Sequence, residues 1–513
     1  MKCCWIVFGI FTFPTVCLAQ VIPSIPSEFV HERHTPTADI DMLSTNIAGE
    51  QISLATGTPI FSVTDVSIPV SRYLSVDIAR YYNRLSGQNL RQYDSFGDWG
   101  LDIPRIESTY VQGDNRFTNN YDVSSVCSQA LTPGPIMGAL GQNIESFEYF
   151  NGVDIIIPGK DHSKLSQSLH GGDYMSDNFI RVSCHVDGNA HEYFRAQTPD
   201  GYTYEFKERM IQVGFPLVKD FKSAPRNKII YAVSQIQDIA GNKLQYQYDS
   251  GRLVSVSYVP VQGSVETVVQ LTHDSDSRVT EVTTGNKTWQ YEYTGNNLTK
   301  VTLPDNTAWL LNFPDFIDYG AKISLAGTYT SSNRECLFST GPFDKYISIR
   351  HPKGALVELN LAMQVHGRTD VPASYNAIDS GSGSIIYNVN ACSGHIAVTT
   401  KTVSGPGLAE QIWSYSYTNN GSHWLSDEFS GTPSDARLNS DALVDDEKFT
   451  ECSMLAECSE VPNDLGFAPY DLRVLTVTAP NNQSTKYYIS KRFDFTEGEV
   501  VAQAQYSAQN QLL

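Results

Sequence analysis

The sequence predicts an all-β protein, and three observations carry that expectation. Lys243-Leu244-Gln245-Tyr246-Gln247-Tyr248-Asp249 alternates apolar and polar side chains with period two, as a strand with one buried face does. The pattern returns 45 residues later, where Tyr246 maps to Tyr291, Tyr248 to Tyr293, Leu253 to Leu298 and Val256 to Val301. Turn formers and aromatics are abundant, with 36 Gly, 24 Pro and 28 Tyr, and no long helical period occurs. Charged residues make up only 18% of the chain and hydrophobic ones 41%, so a folded state is expected. At 513 residues the chain exceeds the roughly 250–300 at which one core stops growing. It is therefore several domains or one extended repeat structure.

Residues 1–19 read as a signal peptide. Lys2 supplies a thin positive region, and the apolar run of residues 5–16, broken by Pro14, is too short to span a bilayer. Cys17-Leu18-Ala19 places small residues before a cleavage point after Ala19. A lipoprotein reading would use Cys17, but Val16 before it is bulky for that processing. No other stretch is long and apolar enough for a transmembrane helix, so no membrane insertion is expected. Export agrees with the cysteines. Cys3, Cys4 and Cys17 leave with the leader, while Cys127, Cys184, Cys336, Cys392, Cys452 and Cys458 remain. Six cysteines allow 15 pairings. Cys452 and Cys458, close together in a polar loop, are the best candidate disulfide. Without a Cys-x-x-Cys pair, zinc and thiol redox chemistry are disfavoured.

Residues 20–45 read as an exposed arm with Pro23, Pro26 and Pro36. His31 and His34 are spaced for a metal, but no third ligand is near, and a solvated arm is the simpler reading. Residues 46–195 form a first β region. Ile52-Ser53-Leu54 is a short strand before a Thr56-Gly57 turn, and alternating runs follow at residues 60–63, 64–70 and 74–83. Residues 107–195 read as strands with long loops. The repeat region, residues 196–320, opens on Asp200-Gly201-Tyr202-Thr203-Tyr204-Glu205-Phe206. Ser250-Gly251 supplies a two-residue hairpin turn, matched by Gly295-Asn296. A weaker copy, His273-Asp274-Ser275-Asp276-Ser277-Arg278-Val279 with Val282 behind it, lies between them. Recurrence at fixed spacing marks a repeat architecture. Residues 321–513 continue the grammar, with Trp413-Ser414-Tyr415-Ser416-Tyr417 before Asn419-Asn420-Gly421, an acidic loop at 440–460 and a last hairpin at 475–489.

The Gly241-Asn242, Tyr246-x-Tyr248-Asp249 and Gly251-Arg252-Leu253 series, with Tyr291, Tyr293, Gly295 and Leu298 in the second copy, resembles the Rhs/YD-repeat family. An ordered set in the first β region is similar to the family's N-terminal segment. It comprises Ala55-Thr56-Gly57, Thr64-Asp65, Ile68-Pro69, Arg80-Tyr81-Tyr82-Asn83 and Phe96-Gly97-Asp98-Trp99. An extra Tyr in the fourth element, and Asp98 before Trp99 where the family has Gly, depart from the pattern. The alternative is a set of ordinary hairpins in an unrelated β protein. The resemblance implies a YD-repeat β-hairpin array forming part of a spiralling, shell-like β-sheet, from a Gram-negative bacterium. Segments around His351-Pro352-Lys353-Gly354-Ala355 and His366-Gly367-Arg368 fit the same family.

Sites of known chemistry are not found. There is no Gly-x-Ser-x-Gly elbow, His-Glu-x-x-His or P-loop. Asp274-Ser275-Asp276 lacks the Gly and distal Glu of a calcium loop and reads as a turn. The Pro and Gly neighbours of His351 and His366 suit turns as well. No catalytic residue, cofactor or metal is expected, and the net charge of −20 disfavours nucleic acid and anionic lipid. Asn286, Asn297, Asn420 and Asn482 match the N-glycosylation pattern, which matters only in a eukaryotic secretory pathway. The family's shell encloses a C-terminal toxin, and neither its core segment nor a toxin follows here. The resemblance therefore implies a non-enzymatic shell component, truncated or split, which pairs through a β edge near 500–506 with itself or with a separately encoded remainder. A surface module binding glycans through exposed aromatics stays open beside it.

Overall fold

A computed structural model describes residues 47–82, 95–111, 127, 136–137, 143–144, 152–167, 173–213, 217–219, 222–224, 226–314, 345–369, 378–379, 385–386, 392–418, 471–492 and 496–513. These residues contain no α-helix, and the protein is all-β. The leader, the arm at 20–45 and the Cys452–Cys458 pair lie outside the described residues.

Two sheets carry the structure. A four-stranded antiparallel sheet, hereafter the N-terminal sheet, holds Glu50–Ile52, Pro59–Pro69, Ser75–Tyr82 and Gly100–Asp102 in that order. The second sheet has 23 strands, is antiparallel, and is not a closed barrel. Most of its strands pair with their sequence neighbours because the connecting turns are short. One turn recurs: the N–H of its first residue donates to the carbonyl four residues on, and the residue three on donates back from a left-handed conformation. Gly241 (φ 88°), Ser277 (φ 67°) and Asn306 (φ 65°) occupy that position.

The repeat has the register that the sequence implies. Tyr246 faces Val256 and Tyr248 faces Leu253; Tyr291 faces Val301 and Tyr293 faces Leu298. The weaker copy is in the same register, with Leu271 facing Val282 and His273 facing Val279. A β-bulge falls at the same place in all three, at Tyr248, His273 and Tyr293. Ser250 and Gly251 both have positive φ, as a type I′ turn requires, whereas Gly295 alone does so in its loop. The two matched turns therefore differ in type. Leu244, Tyr246, Leu253, Tyr291 and Leu298 are buried, while Gln245, Gln247 and Asp249 on the other face are exposed.

Arg226–Gln237 is where the large sheet forks. One of its edges pairs with Thr203–Val213. The other is shared, its first half pairing with Arg105–Val111 and its last three residues with Lys243–Asp249. The chain leaving the N-terminal sheet thus enters the large sheet directly at the fork. A single apolar core runs through both sheets, from Phe61, Val66 and Trp99 on one to Val256, Leu298 and Val398 on the other. Each such side chain contributes about 1.5–3 kcal/mol when fully buried.

Three local expectations change. The first strand ends at Ile52, and Leu54, Ala55 and Thr56 already form the turn. His366 is not in a turn: it lies buried in the strand Leu356–Gly367. The strand Val500–Tyr506 pairs with Ser484–Ser490, and the chain then folds back so that the Leu513 N–H donates to the Gln505 carbonyl. The last turn therefore covers the C-terminal end of the edge at 500–506.

Candidate docking interface

The motif residues of both regions meet where the N-terminal sheet lies on the aromatic face of the large sheet. The contact is built three times from the same parts. In each, a valine on one strand of the large sheet has its N–H taken by a carbonyl of the N-terminal segment. Val233 N donates to Pro104 O (3.0 Å), Val279 N to Ser95 O (2.7 Å) and Val398 N to Gly57 O (2.9 Å). The carbonyl of the same valine accepts a tyrosine hydroxyl from the next strand. The bonds are Tyr248 to Val233 (2.7 Å), Tyr293 to Val279 (2.6 Å) and Tyr417 to Val398 (2.7 Å). All three valines are fully buried. The second tyrosine of each Tyr-x-Tyr pair therefore satisfies a buried carbonyl beside the point where the preceding strand takes the N-terminal segment as its partner.

The first tyrosine of a pair faces the N-terminal sheet. Tyr291 Oη donates to Asp65 Oδ2 at 3.1 Å, and Phe96 packs 4.8 Å from the Tyr291 ring. Asp65 also receives Arg80 Nε at 2.9 Å, and both side chains are inaccessible to solvent. The Arg80 guanidinium lies over Trp99 at 4.6 Å and near Trp309 at 5.9 Å. Burial raises the Asp65 carboxyl above its ordinary range, and the Arg80 charge and hydrogen bond only partly offset this. Burial, then the Asp65 charge, holds the Tyr291 phenol protonated far above neutrality. Lys401 of the large sheet pairs with Glu50 at 2.6 Å, again with both partners buried. Asp98 Oδ1 accepts the Leu298 N–H at 2.7 Å. Around these polar contacts Phe61, Tyr82, Trp99 and Phe313 form an aromatic cluster with centroids 4.5–6.2 Å apart.

Two glycines let the backbones meet. A Cβ on Gly57 would lie 2.3 Å from the Tyr417 hydroxyl, and one on Gly97 would lie 2.3 Å from the Asn296 carbonyl. Both have φ near +72°, so any side chain there is strained as well as obstructed.

The sequence motifs thus acquire physical roles. Gly57, Asp65, Arg80, Gly97, Asp98 and Trp99 all lie at this interface. So do Tyr248, Tyr291, Tyr293 and Leu298. Gly241, Asn242, Asp249, Gly251, Arg252 and Gly295 instead shape turns. Asn242 donates to Asp238 (2.9 Å), and Arg252 pairs with Asp249 at 3.1 Å on the surface. Sequence reasoning missed Val233, Val398 and Lys401, which look like any strand residues, and placed Val279 in the weak copy without its role here. It also missed the Cys127–Cys184 disulfide, which joins residues 57 apart.

Tyr248→Phe, Tyr293→Phe and Tyr417→Phe are each expected to cost about 1–3 kcal/mol, because each leaves a buried carbonyl unpaired. Denaturant midpoints measure this, with the half-exposed Tyr346→Phe as control. Losses no larger than the control's would remove the tyrosines from this role.

No family model matches the chain, and no curated protein matches it. Among solved structures, the N-terminal domain of effector protein SpvB from Salmonella typhimurium strain LT2 is similar at 12% identity and a TM-score of 0.21. That match covers 69% of this chain and 94% of that one. TcdB2-TccC3-TEV is similar at 9% identity and a TM-score of 0.18, over 85% of this chain and 27% of that one. The Photorhabdus luminescens Tc holotoxin pore stands at 9% and 0.19, over 84% and 24%. The chain therefore spans about a quarter of these last two. Scores this low carry no inference of function.

Proposed function

We propose that the chain is a non-enzymatic structural component of an exported, toxin-associated Rhs/YD-repeat system, acting as a section of shell wall. The observation that supports this reading is the threefold clamp. The N-terminal sheet occupies the aromatic face of the repeat strands at successive points and fixes their spacing, which is what a wall needs and a catalytic cleft does not. Several of the motif residues resembling the family, among them Asp65, Arg80, Asp98, Tyr248, Tyr291 and Tyr293, make this contact. A glycan-binding role would draw on exposed aromatics. Trp99, Trp289, Trp309 and Trp413 are all buried, leaving Tyr73, Phe179 and Tyr346 among the described residues.

Expression of residues 20–513 in the periplasm of a sensitive bacterium tests the proposal. Normal growth is expected, together with capture of a separately encoded remainder of the shell or of a second copy. Growth arrest, or hydrolytic activity in the purified protein, would overturn it. A glycan-array signal lost on Tyr346→Ala would favour the surface-module reading instead.

A further inference from the structure

The connections of the large sheet sort by length between its two rims. Antiparallel neighbours turn at alternate ends of their strands. At one rim the connections are short: 198–202, 238–242, 260–265, 285–286, 303–307, 351–355, 406–407 and 479–483. The long ones at 313–344, 368–391 and 419–471 all leave from the opposite rim. The short-turn rim is apolar. Phe179, Ile239, Val261 and Val265 stand on it, each at least 60% exposed. Its turns are also braced against one another. A Cβ on Gly201 would lie 2.5 Å from Ile239 Cγ2, one on Gly241 would lie 3.1 Å from Val261 Cγ2, and one on Gly354 would lie 3.1 Å from Pro406 Cγ. Each glycine thus lets an apolar side chain of the next turn lie across the turn before it. The turns at 198–202, 238–242 and 260–265 join in this way into one ledge, and Phe179 lies one turn further along. Successive turns are two strands apart, or about 10 Å.

We propose that this ledge is an interface between two copies of the chain, packed rim to rim about a two-fold axis. Area carries the choice of partner. Four side chains exposed to this degree present on the order of 400 Å² of apolar surface, a size at which a patch on a monomer marks an interaction site. Two apposed copies would together cover about 1,000 Å² with the polar turn atoms included, which is what a specific but weak dimer needs. A two-fold axis suits such a strip, because the same patch then serves both sides. Bracing of the turns leaves little side-chain freedom to lose on contact. A lipid surface fits less well. The chain carries a net charge of −20, and the exposed Asp200, Glu266 and Asp305 stand on the same rim. The contact is also distinct from the strand edge at 500–506, since turns meet here and not backbone ladders. It requires no toxin and no further shell segment, so it stands apart from the function proposed above.

The test uses the full mature chain. Light scattering is expected to show a monomer giving way to a dimer between about 5 and 200 µM, as suits a small interface. Ile239→Asp and Val261→Asp should each raise the dissociation constant by about tenfold or more, because each sets like charges against one another across the axis. Val500→Asp, on the strand edge, should leave it unchanged. Hydrogen exchange needs no variant: amides of 238–242 and 260–265 should gain protection over the same concentrations, while those of 274–278 on the opposite rim should not. A monomer throughout, a dimer indifferent to both rim variants, or one lost only with Val500→Asp would each overturn the proposal. Flotation of the monomer with phosphatidylcholine vesicles, abolished by Val261→Asp, would also overturn it and assign the ledge to a lipid surface.

Discussion

Arg80→Leu is expected to lower stability by about 3–5 kcal/mol and to detach the N-terminal sheet. Removing one partner of a buried pair strands the other charge. The stranded group is Asp65, whose side chain is 1% exposed and, among the described residues, keeps the Tyr291 hydroxyl. The loss has a predictable pH dependence. Burial already holds the Asp65 carboxyl above the ordinary carboxylate range, so its ionisation costs stability as pH rises through and above that range. Without Arg80 the carboxyl rises further, so the deficit is largest near pH 7–8 and shrinks as pH falls towards 5. Adding Asp65→Asn should recover much of the loss, since the double variant buries no net charge. Denaturant titrations at pH 5 and pH 7.5, with limited proteolysis of residues 47–102, measure all of this. A deficit below about 1 kcal/mol, or one indifferent to pH, would show that the pair does not hold the interface.

Breaking the Cys127–Cys184 bond is expected to cost about 4 kcal/mol in the chain-entropy model, because the closed loop spans 57 residues. Cys127 is also fixed by its surroundings. Its N–H donates to Glu192 at 2.8 Å, and its carbonyl accepts the Tyr174 hydroxyl at 3.0 Å. Those bonds hold the segment only while the crosslink keeps it in reach. The measurement is the denaturant midpoint of the oxidised protein against Cys127→Ser with Cys184→Ser. Equal midpoints would show the crosslink to be dispensable. Reduction of the native protein should reproduce the variant.

The repeat strands were legible because their determinants are local. Period-two alternation, Gly turns and a 45-residue recurrence fix Tyr246 opposite Val256 and Tyr291 opposite Val301 without reference to the rest of the chain. Even the weak copy at His273 keeps its register. The interface was legible only as unexplained motifs. Arg80 and Asp65 are adjacent across a hairpin, but their burial depends on Tyr291, 226 residues beyond Asp65. Val233 has no sequence signature, since its role is set by which carbonyl arrives at its N–H. The pairing of Cys127 with Cys184 was not legible because it follows from which strand passes beside residue 127; the Cys452–Cys458 expectation lies outside the described residues. His366 was misplaced because Gly367 after it suggested a turn, while the alternation that follows Leu356 continued through it.

The docking contacts also dictate an order of events during synthesis. The N-terminal strands leave the ribosome first, yet Asp65 must wait for Tyr291, Asp98 for Leu298 some 200 residues later, Gly57 for Val398 and Glu50 for Lys401. Until then their aromatic surfaces lack the partner that will cover them. Contacts of such sequence separation slow folding and lengthen the exposure of sticky intermediates. The last residues to arrive are thus the ones that lock the first in place.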